Sequence, residues 1–255
     1  MAYRKIPKLP YAPSGASVNV KNIYSRRFFM RKKSEFLLLV LFVLSLAGCA
    51  AFEGGWQKTF AVDLQNLTPT GRNPYFSLET GHQLTLQHEQ NKQIITVLDQ
   101  TKMVDGVITR VVEEREFEDG QLKEVSLNYY AMDKTTNSLY YFGEDVDLYE
   151  NNQVVGHEGV WLSGVNGAKF GLFLPGEPKV GDKFYQEYAP GAALDRAEIV
   201  GLGEEVVTPA GVFRNCLHLR EENPLDGGVD HKWFAPGVGV IQDENLVLTS
   251  YTGGM

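Results

Sequence analysis

Between Gln83 and Leu248 apolar and polar residues follow one another at a period of two, and no stretch there carries an apolar stripe at helical period. Gln83–Gln87 alternates Leu84 and Leu86 with polar residues, and Gln93–Leu98 is β-branched. Val107–Phe117 mixes Ile108, Val111 and Val112 with Thr and Glu, and Leu122–Tyr130 puts Val125, Leu127 and Tyr129 on one face. Further strands are predicted over Leu139–Phe142, Val146–Glu150, Val154–Leu162, Phe184–Tyr188, Ala197–Val207, Gly211–Arg220, Val229–Phe234 and Val240–Leu248. Glu118-Asp119-Gly120 and Asn151-Asn152 are turn sequences, because Gly and Asn tolerate a positive φ. About a dozen short strands at regular spacing describe an all-β, antiparallel sandwich or curved half-barrel. A single helical turn is expected within Gly191–Glu198.

The front of the chain obeys different rules. Residues 36–46 form 11 positions that are apolar except for Ser45. A spanning helix needs about 20 apolar residues, so this run has the length of a signal-peptide core. Arg31-Lys32-Lys33 precedes it and Leu46-Ala47-Gly48-Cys49 follows it. Residues 1–48 are therefore expected to be an export signal. Two starts remain open. Met30 opens a good basic n-region by itself, which makes residues 1–29 an upstream extension. From Met1, Ser25-Arg26-Arg27-Phe28-Phe29-Met30-Arg31 resembles a twin-arginine export motif.

With n-region, apolar core and terminal cysteine in this order, the chain resembles a bacterial lipoprotein precursor, Leu46-Ala47-Gly48-Cys49 being the lipobox. The resemblance implies diacylglycerol thioether formation on the Cys49 sulfur, cleavage before Cys49, and acylation of the new amino group. Several acyl chains, palmitate among them, would then hold the protein stably at a membrane, where one chain binds marginally. Ala50 stands where an Asp commonly retains such proteins at the inner membrane, so the outer membrane, periplasm-facing, is the expected address.

Residues 1–49 hold nine of the 24 Lys and Arg and one of the 32 acids, leaving 15 against 31 and a charge of −16 on the remainder. Such a domain is repelled by nucleic acid and by anionic headgroups, so no nucleic-acid partner is expected. Hydrophobic residues at 43% are enough to bury a core. Residues 49–72 read as a lipid-anchored tether with one short strand at Lys58–Leu64, and residues 73–251 as the β-domain.

A second resemblance lies in Thr208-Pro-Ala-Gly-Val-Phe-Arg-Asn-Cys216-Leu, Lys232-Trp-Phe-Ala-Pro-Gly-Val-Gly-Val240 and Asn73-Pro-Tyr-Phe76. These segments are similar to ones found in uncharacterised secreted bacterial β-domain proteins. The resemblance implies a fold and no catalysis, because Pro209, Gly211 and Pro236-Gly237 set turns.

Chemistry-bearing groups are few. Cys216 and His218 share a face of their strand, with Arg214 and Arg220 on it as well. A symmetric turn over Asn223–Gly228 would pair His218 with His231 and Cys216 with Trp233. A Cys216/His218/His231 cluster could hold zinc or copper, or set a thiolate beside an imidazolium; the alternative is a half-buried cysteine with two solvated histidines. Glu144, Asp145, Asp147 and Glu150 offer oxygen ligands without the calcium-loop pattern, and read as a charged edge strand. His82 and His88 are too far apart to share an ion, His157-Glu158 is no zinc-protease pattern, and Ser163 lacks a nucleophile elbow. No phosphate loop or dinucleotide fingerprint occurs, so no catalytic residue, metal or cofactor is assigned. Tyr129, Tyr130, Tyr140, Tyr141, Phe142, Tyr149, Phe184, Tyr185 and Tyr188 either fill a core or line a concave face for a hydrophobic ligand. The expected function is a non-enzymatic binding or structural role in the cell envelope. The alternatives are a periplasmic carrier of a hydrophobic ligand or lipid, and an envelope metalloprotein or hydrolase.

Overall fold

The computed structural model describes residues 52–53 and 55–253. The export signal, both possible starts and Cys49 lie outside the described residues. Among those residues the chain forms twenty strands and one 3-10 turn, and no α-helix. The front part carries β1 (Phe52–Glu53), β2 (Trp56–Gln57), the 3-10 turn Leu64–Asn66, β3 (Leu67–Thr68), β4 (Arg72–Asn73) and β5 (Phe76–Ser77). Then come β6 (Gln83–His88), β7 (Asn91–Val104), β8 (Val107–Glu118), β9 (Gln121–Asp133) and β10 (Leu139–Glu150). A run of short strands follows: β11 (Gln153–Gly156), β12 (Trp161–Leu162), β13 (Lys169–Leu174), β14 (Lys183–Tyr185) and β15 (Glu187–Tyr188). The chain ends with β16 (Arg196–Thr208), β17 (Gly211–Asn223), β18 (Gly228–Ala235), β19 (Gly239–Asp243) and β20 (Leu246–Thr252).

Eighteen of these strands form one sheet, and β4 and β5 pair with each other. Its ladder runs β14-β16-β17-β18-β19-β20-β6-β7-β8-β9-β10-β13-β15. Every step is antiparallel; the parallel contact is β14 with β2. Only Gln186 separates β14 from β15, which lie at opposite ends of this order. The bent segment 183–188 therefore joins the two margins without a continuous ladder, and the sheet stays open and curved. Register shifts in β7, β10, β16 and β18 bend it.

The curvature brings β7–β10 across from β16–β19. Tyr130 and Phe234 both pack on Phe173, with ring centroids 5.0 and 6.4 Å away, and Phe76 packs on it at 5.7 Å. One contiguous cluster includes Leu84, Leu86, Leu217, Leu219 and Ile241 from both halves. Each such side chain contributes about 1.5–3 kcal/mol on burial, which fixes the register, since a one-residue slip would invert the faces.

The Asn73-Pro-Tyr-Phe76 segment ties the structure together. Asn73 is fully buried, and its amide donates to the carbonyls of Asn137 and Pro175 at 2.8 and 3.0 Å. Gly237 N–H donates to Pro74 O at 3.0 Å, so the Pro236-Gly237 bend and this segment hold each other.

Several expectations shift. The stretch 58–63 lies in no strand and Leu64 opens the 3-10 turn, yet Phe60 and Val62 pack on the core and Trp56 is buried. From Trp56 onward the supposed tether is thus part of the folded unit. The predicted strands 139–142 and 146–150 are one strand with a bulge, and Val240–Leu248 is two strands turned at Glu244. Val154–Leu162 is broken after Gly156, and β13, unforeseen, pairs with β10. Gly191–Glu198 makes no helix; Ala189 and Ala193 form a bridge and β16 begins at Arg196.

Candidate functional site

Two polar groups stand out, one on each face of the β16–β19 half. The outer one contains the predicted histidines. His218 sits opposite Trp233 and Arg220 opposite His231, so the register differs by two residues from the symmetric-turn estimate. The last pair is Asn223 with Gly228, leaving a four-residue turn between them. A two-residue offset preserves the face, so the two imidazoles still meet, diagonally. His218 Nε2 lies 2.7 Å from His231 Nδ1, and the His218 ring stacks on Trp233 at 4.1 Å.

Glu204, which sequence reasoning missed, completes this group. Its Oε1 is 3.3 Å from His218 Nδ1, and its Oε2 accepts from Trp233 Nε1 at 2.7 Å. Glu204 arrives there because β16 bulges around it, with Gly203 at φ +79°. Gly201 leaves the space: a Cβ there would collide with the Glu204 carboxylate. When Glu204 accepts from His218 Nδ1–H, Nε2 of a neutral His218 is the acceptor and His231 Nδ1–H must donate. Desolvation lowers the His218 pKa; Glu204 works against this and His231 with it. The arrangement can share and hold a proton along carboxylate, imidazole and imidazole.

Cys216 does not join it as a nucleophile. The thiol is fully buried within the hydrophobic cluster, where desolvation pushes its pKa up. Asn215, at φ +59°, breaks the alternation beside it, so Cys216 and Leu217 are both buried. Among the described residues no group of three or more His, Cys, Asp or Glu could hold a metal ion.

The inner group was not foreseen. Ladder registers put Glu114 beside Ser126, Glu116 beside Glu124, and Val112 beside Asn128, all sharing a face with Tyr130. Across the interior, Leu219 pairs with Lys232, Glu221 with Asp230, and Lys232 with Asp243. Lys232 Nζ is 2.7 Å from Glu221 and 3.7 Å from Asp243. Gln93 donates to Glu114 at 2.5 Å. Burial pushes the Glu114 carboxyl up, and pushes Glu116 well above the usual range with Glu114 beside it. Burial alone would lower Lys232, but Asp243 and Glu221 hold it well above its ordinary value. Glu144 lies nearby on β10; burial, reinforced by Glu124, pushes it up to about 8. These groups are set deep, yet the side chains of Lys232 and Glu221 remain 20% and 12% exposed. Solvent therefore reaches this inner group, where close-packed core would leave no accessible surface.

The other candidates separate. Glu144 faces inward, while Asp145 accepts from Lys102 at 2.7 Å and Asp147 pairs with His157 at 2.9 Å. Alternation puts Glu144 on the face opposite Asp145 and Asp147, and those two, though they share a face, are held by different partners, Lys102 and His157. β10 is no edge strand either, since β9 lies on one side and β11–β13 on the other. His82 is pinned between the carbonyls of Gly253 and Val238 at 2.6 and 2.7 Å, and His88 is exposed at the end of β6. Ser163 donates to Asp105 at 2.8 Å and accepts from Phe170 N–H, closing a loop.

Of the aromatic set, Tyr129, Tyr130, Tyr140, Tyr141, Phe142, Phe184 and Tyr185 are buried, while Tyr149 and Tyr188 are half-buried. Tyr130 stacks on Tyr141 at 4.7 Å and Phe142 on Phe170 at 4.8 Å, so the rings pack on one another. No protein-family model, no curated protein and no solved structure matches this chain.

Proposed function

We propose that this protein is a lipid-anchored binding domain of the bacterial cell envelope, held at the membrane by acyl chains on Cys49, with a non-enzymatic role. The anchor reading is supported by the order of Arg31-Lys32-Lys33, the apolar run 36–46 and Leu46-Ala47-Gly48-Cys49. The observation that carries the binding reading is the inner carboxyl group around Lys232, largely buried yet reachable from solvent. Concave sites with convergent polar groups on a rigid sheet are where small molecules bind. Trp56 is already docked on the sheet, so the folded unit would stand within a few residues of the anchored cysteine, close to the membrane surface.

Metabolic labelling with palmitate tests the anchor. The full chain incorporates label and partitions into the detergent phase, and Cys49→Ser abolishes both. Label on Cys49→Ser, or a water-soluble unlabelled native product, would overturn it. Mass spectrometry of small molecules released from the purified full chain tests binding. A lipid in that extract would favour a hydrophobic-ligand carrier, and a polar ligand the inner site.

A further inference from the structure

We infer that the inner carboxyl group is a binding site for a short aliphatic diamine or polyamine, which enters between the hairpin turns at one end of the sheet. This deepens the binding-domain reading and rests on it.

Charge gives the class of ligand. Glu114, Glu116, Glu221, Asp230 and Asp243 belong to the group, and Lys232 is the ammonium among them. Five carboxyls around one cation are costly to ionise together, and additional positive charge relieves that cost. Lys232 is itself an example of an ammonium held here, 2.7 Å from Glu221.

Hydrogen-bonding capacity points the same way. Gln93 Oε1, Asp230 Oδ1 and Asp243 Oδ1 are buried without a hydrogen-bond partner among the described residues. Gln93 and Asp243 are each only 2% exposed, and the Gln93 amide is fixed inside the group by its bond to Glu114. Leaving a buried acceptor unmet is unfavourable. All three are acceptors, so the complementary group is a donor; an ammonium supplies three N–H donors together with a positive charge, where a hydroxyl supplies one donor and no charge. A carboxylate or an apolar ligand would bring neither. A bare metal ion needs several converging ligands, and no such set of three occurs among the described residues.

Spacing selects more than one amine. Inward positions two residues apart on a strand, such as Glu114 and Glu116, lie about 6.8 Å from each other. A short diamine spans such a pair. Antiparallel pairing places the turns at 89–90, 119–120, 224–227 and 244–245 at the same end of the sheet as Glu116 and Asp230. Glu89, Asp119 and Asp226 are exposed there, an acidic rim that attracts cations toward the inner group.

The test is calorimetric titration of putrescine into the full chain purified in detergent, at neutral pH and physiological salt. Saturable one-to-one binding is expected. Glu114→Gln and Asp243→Asn should each weaken it at least ~tenfold, as loss of a charged hydrogen bond does, while Glu177→Gln, exposed in the loop between β13 and β14, changes it less than about twofold. Circular dichroism verifies folding, and Asp230→Asn takes the place of an inner variant that does not fold. Absence of saturable binding to the folded protein overturns the inference. So does binding that the inner substitutions leave unchanged, which would be condensation on the acidic surface, or stoichiometric displacement by calcium, which would make this a metal site. The anchor is read separately: a palmitate-labelled chain that ignores putrescine sinks this inference alone, and an unlabelled chain that binds it sinks the anchor alone.

Discussion

His218 shows how much a single position depends on its surroundings. Its ring is wedged between the Trp233 indole, the Glu204 carboxylate and His231, and desolvation leads in lowering its pKa. An imidazolium stacked on an indole quenches its fluorescence. Trp233 emission should therefore fall as pH drops, with a midpoint below the ordinary histidine value of 6.5. His218→Gln should remove the transition, and a midpoint at or above the ordinary value would contradict the assigned burial. The two histidines could be brought together from sequence because a strand's period of two survives a register error of two. Glu204 could not, because a bulge shifts alternation and only the surrounding glycines, Gly201 and Gly203, hinted at one.

At the scale of elements, β10 is the strand on which most depends. It pairs with β9 on one side and takes β11, β12 and β13 in succession on the other. Gly143 sits at its bulge with φ +134°, and a Cβ there would strike the Trp161 carbonyl and the Leu162 Cα. The strained backbone and the collision act together. Gly143→Ala should cost about 2 kcal/mol or more in chemical denaturation and free β12 from the ladder. Trp161, now buried, would then show red-shifted emission; unchanged emission and stability would refute the close approach. Sequence reading divided this strand in two at Gly143, since an isolated glycine among strand residues looks like a break. It passed over β13, where Lys169-Phe170-Gly171-Leu172 again carries a glycine. There Gly171 is needed because the backbone of Tyr185 and Gln186 approaches too closely for any side chain.

Over the whole molecule, the inner carboxyls make stability depend on pH in an unusual direction. Glu144 has an ordinary value of 4.5 and a folded value of about 8, so between these pH values the folded chain holds a proton that the unfolded chain has released. Its contribution is fully present below the unfolded value and is lost as pH rises through the folded one. Thermal stability should therefore decline from acid toward pH 8, and Glu144→Gln should flatten the decline. A gain of roughly 10 °C or more in Tm at the alkaline end, with little change at the acid end, is the expected size. Equal shifts at both ends would mean the carboxyl ionises freely. The sequence alone determined that the chain folds as all-β, because period-two patterning and Asn, Asp and Gly turns are local properties of neighbouring residues. The placing of Leu46-Ala47-Gly48-Cys49 behind an apolar run was legible for the same reason. Only the tertiary structure decided that Glu114 and Gln93 from one half of the sheet face Lys232 and Asp243 from the other. Alternation says that two faces exist, but which one turns inward depends on how the sheet curves, and curvature is set by bulges and by contacts between residues more than a hundred positions apart.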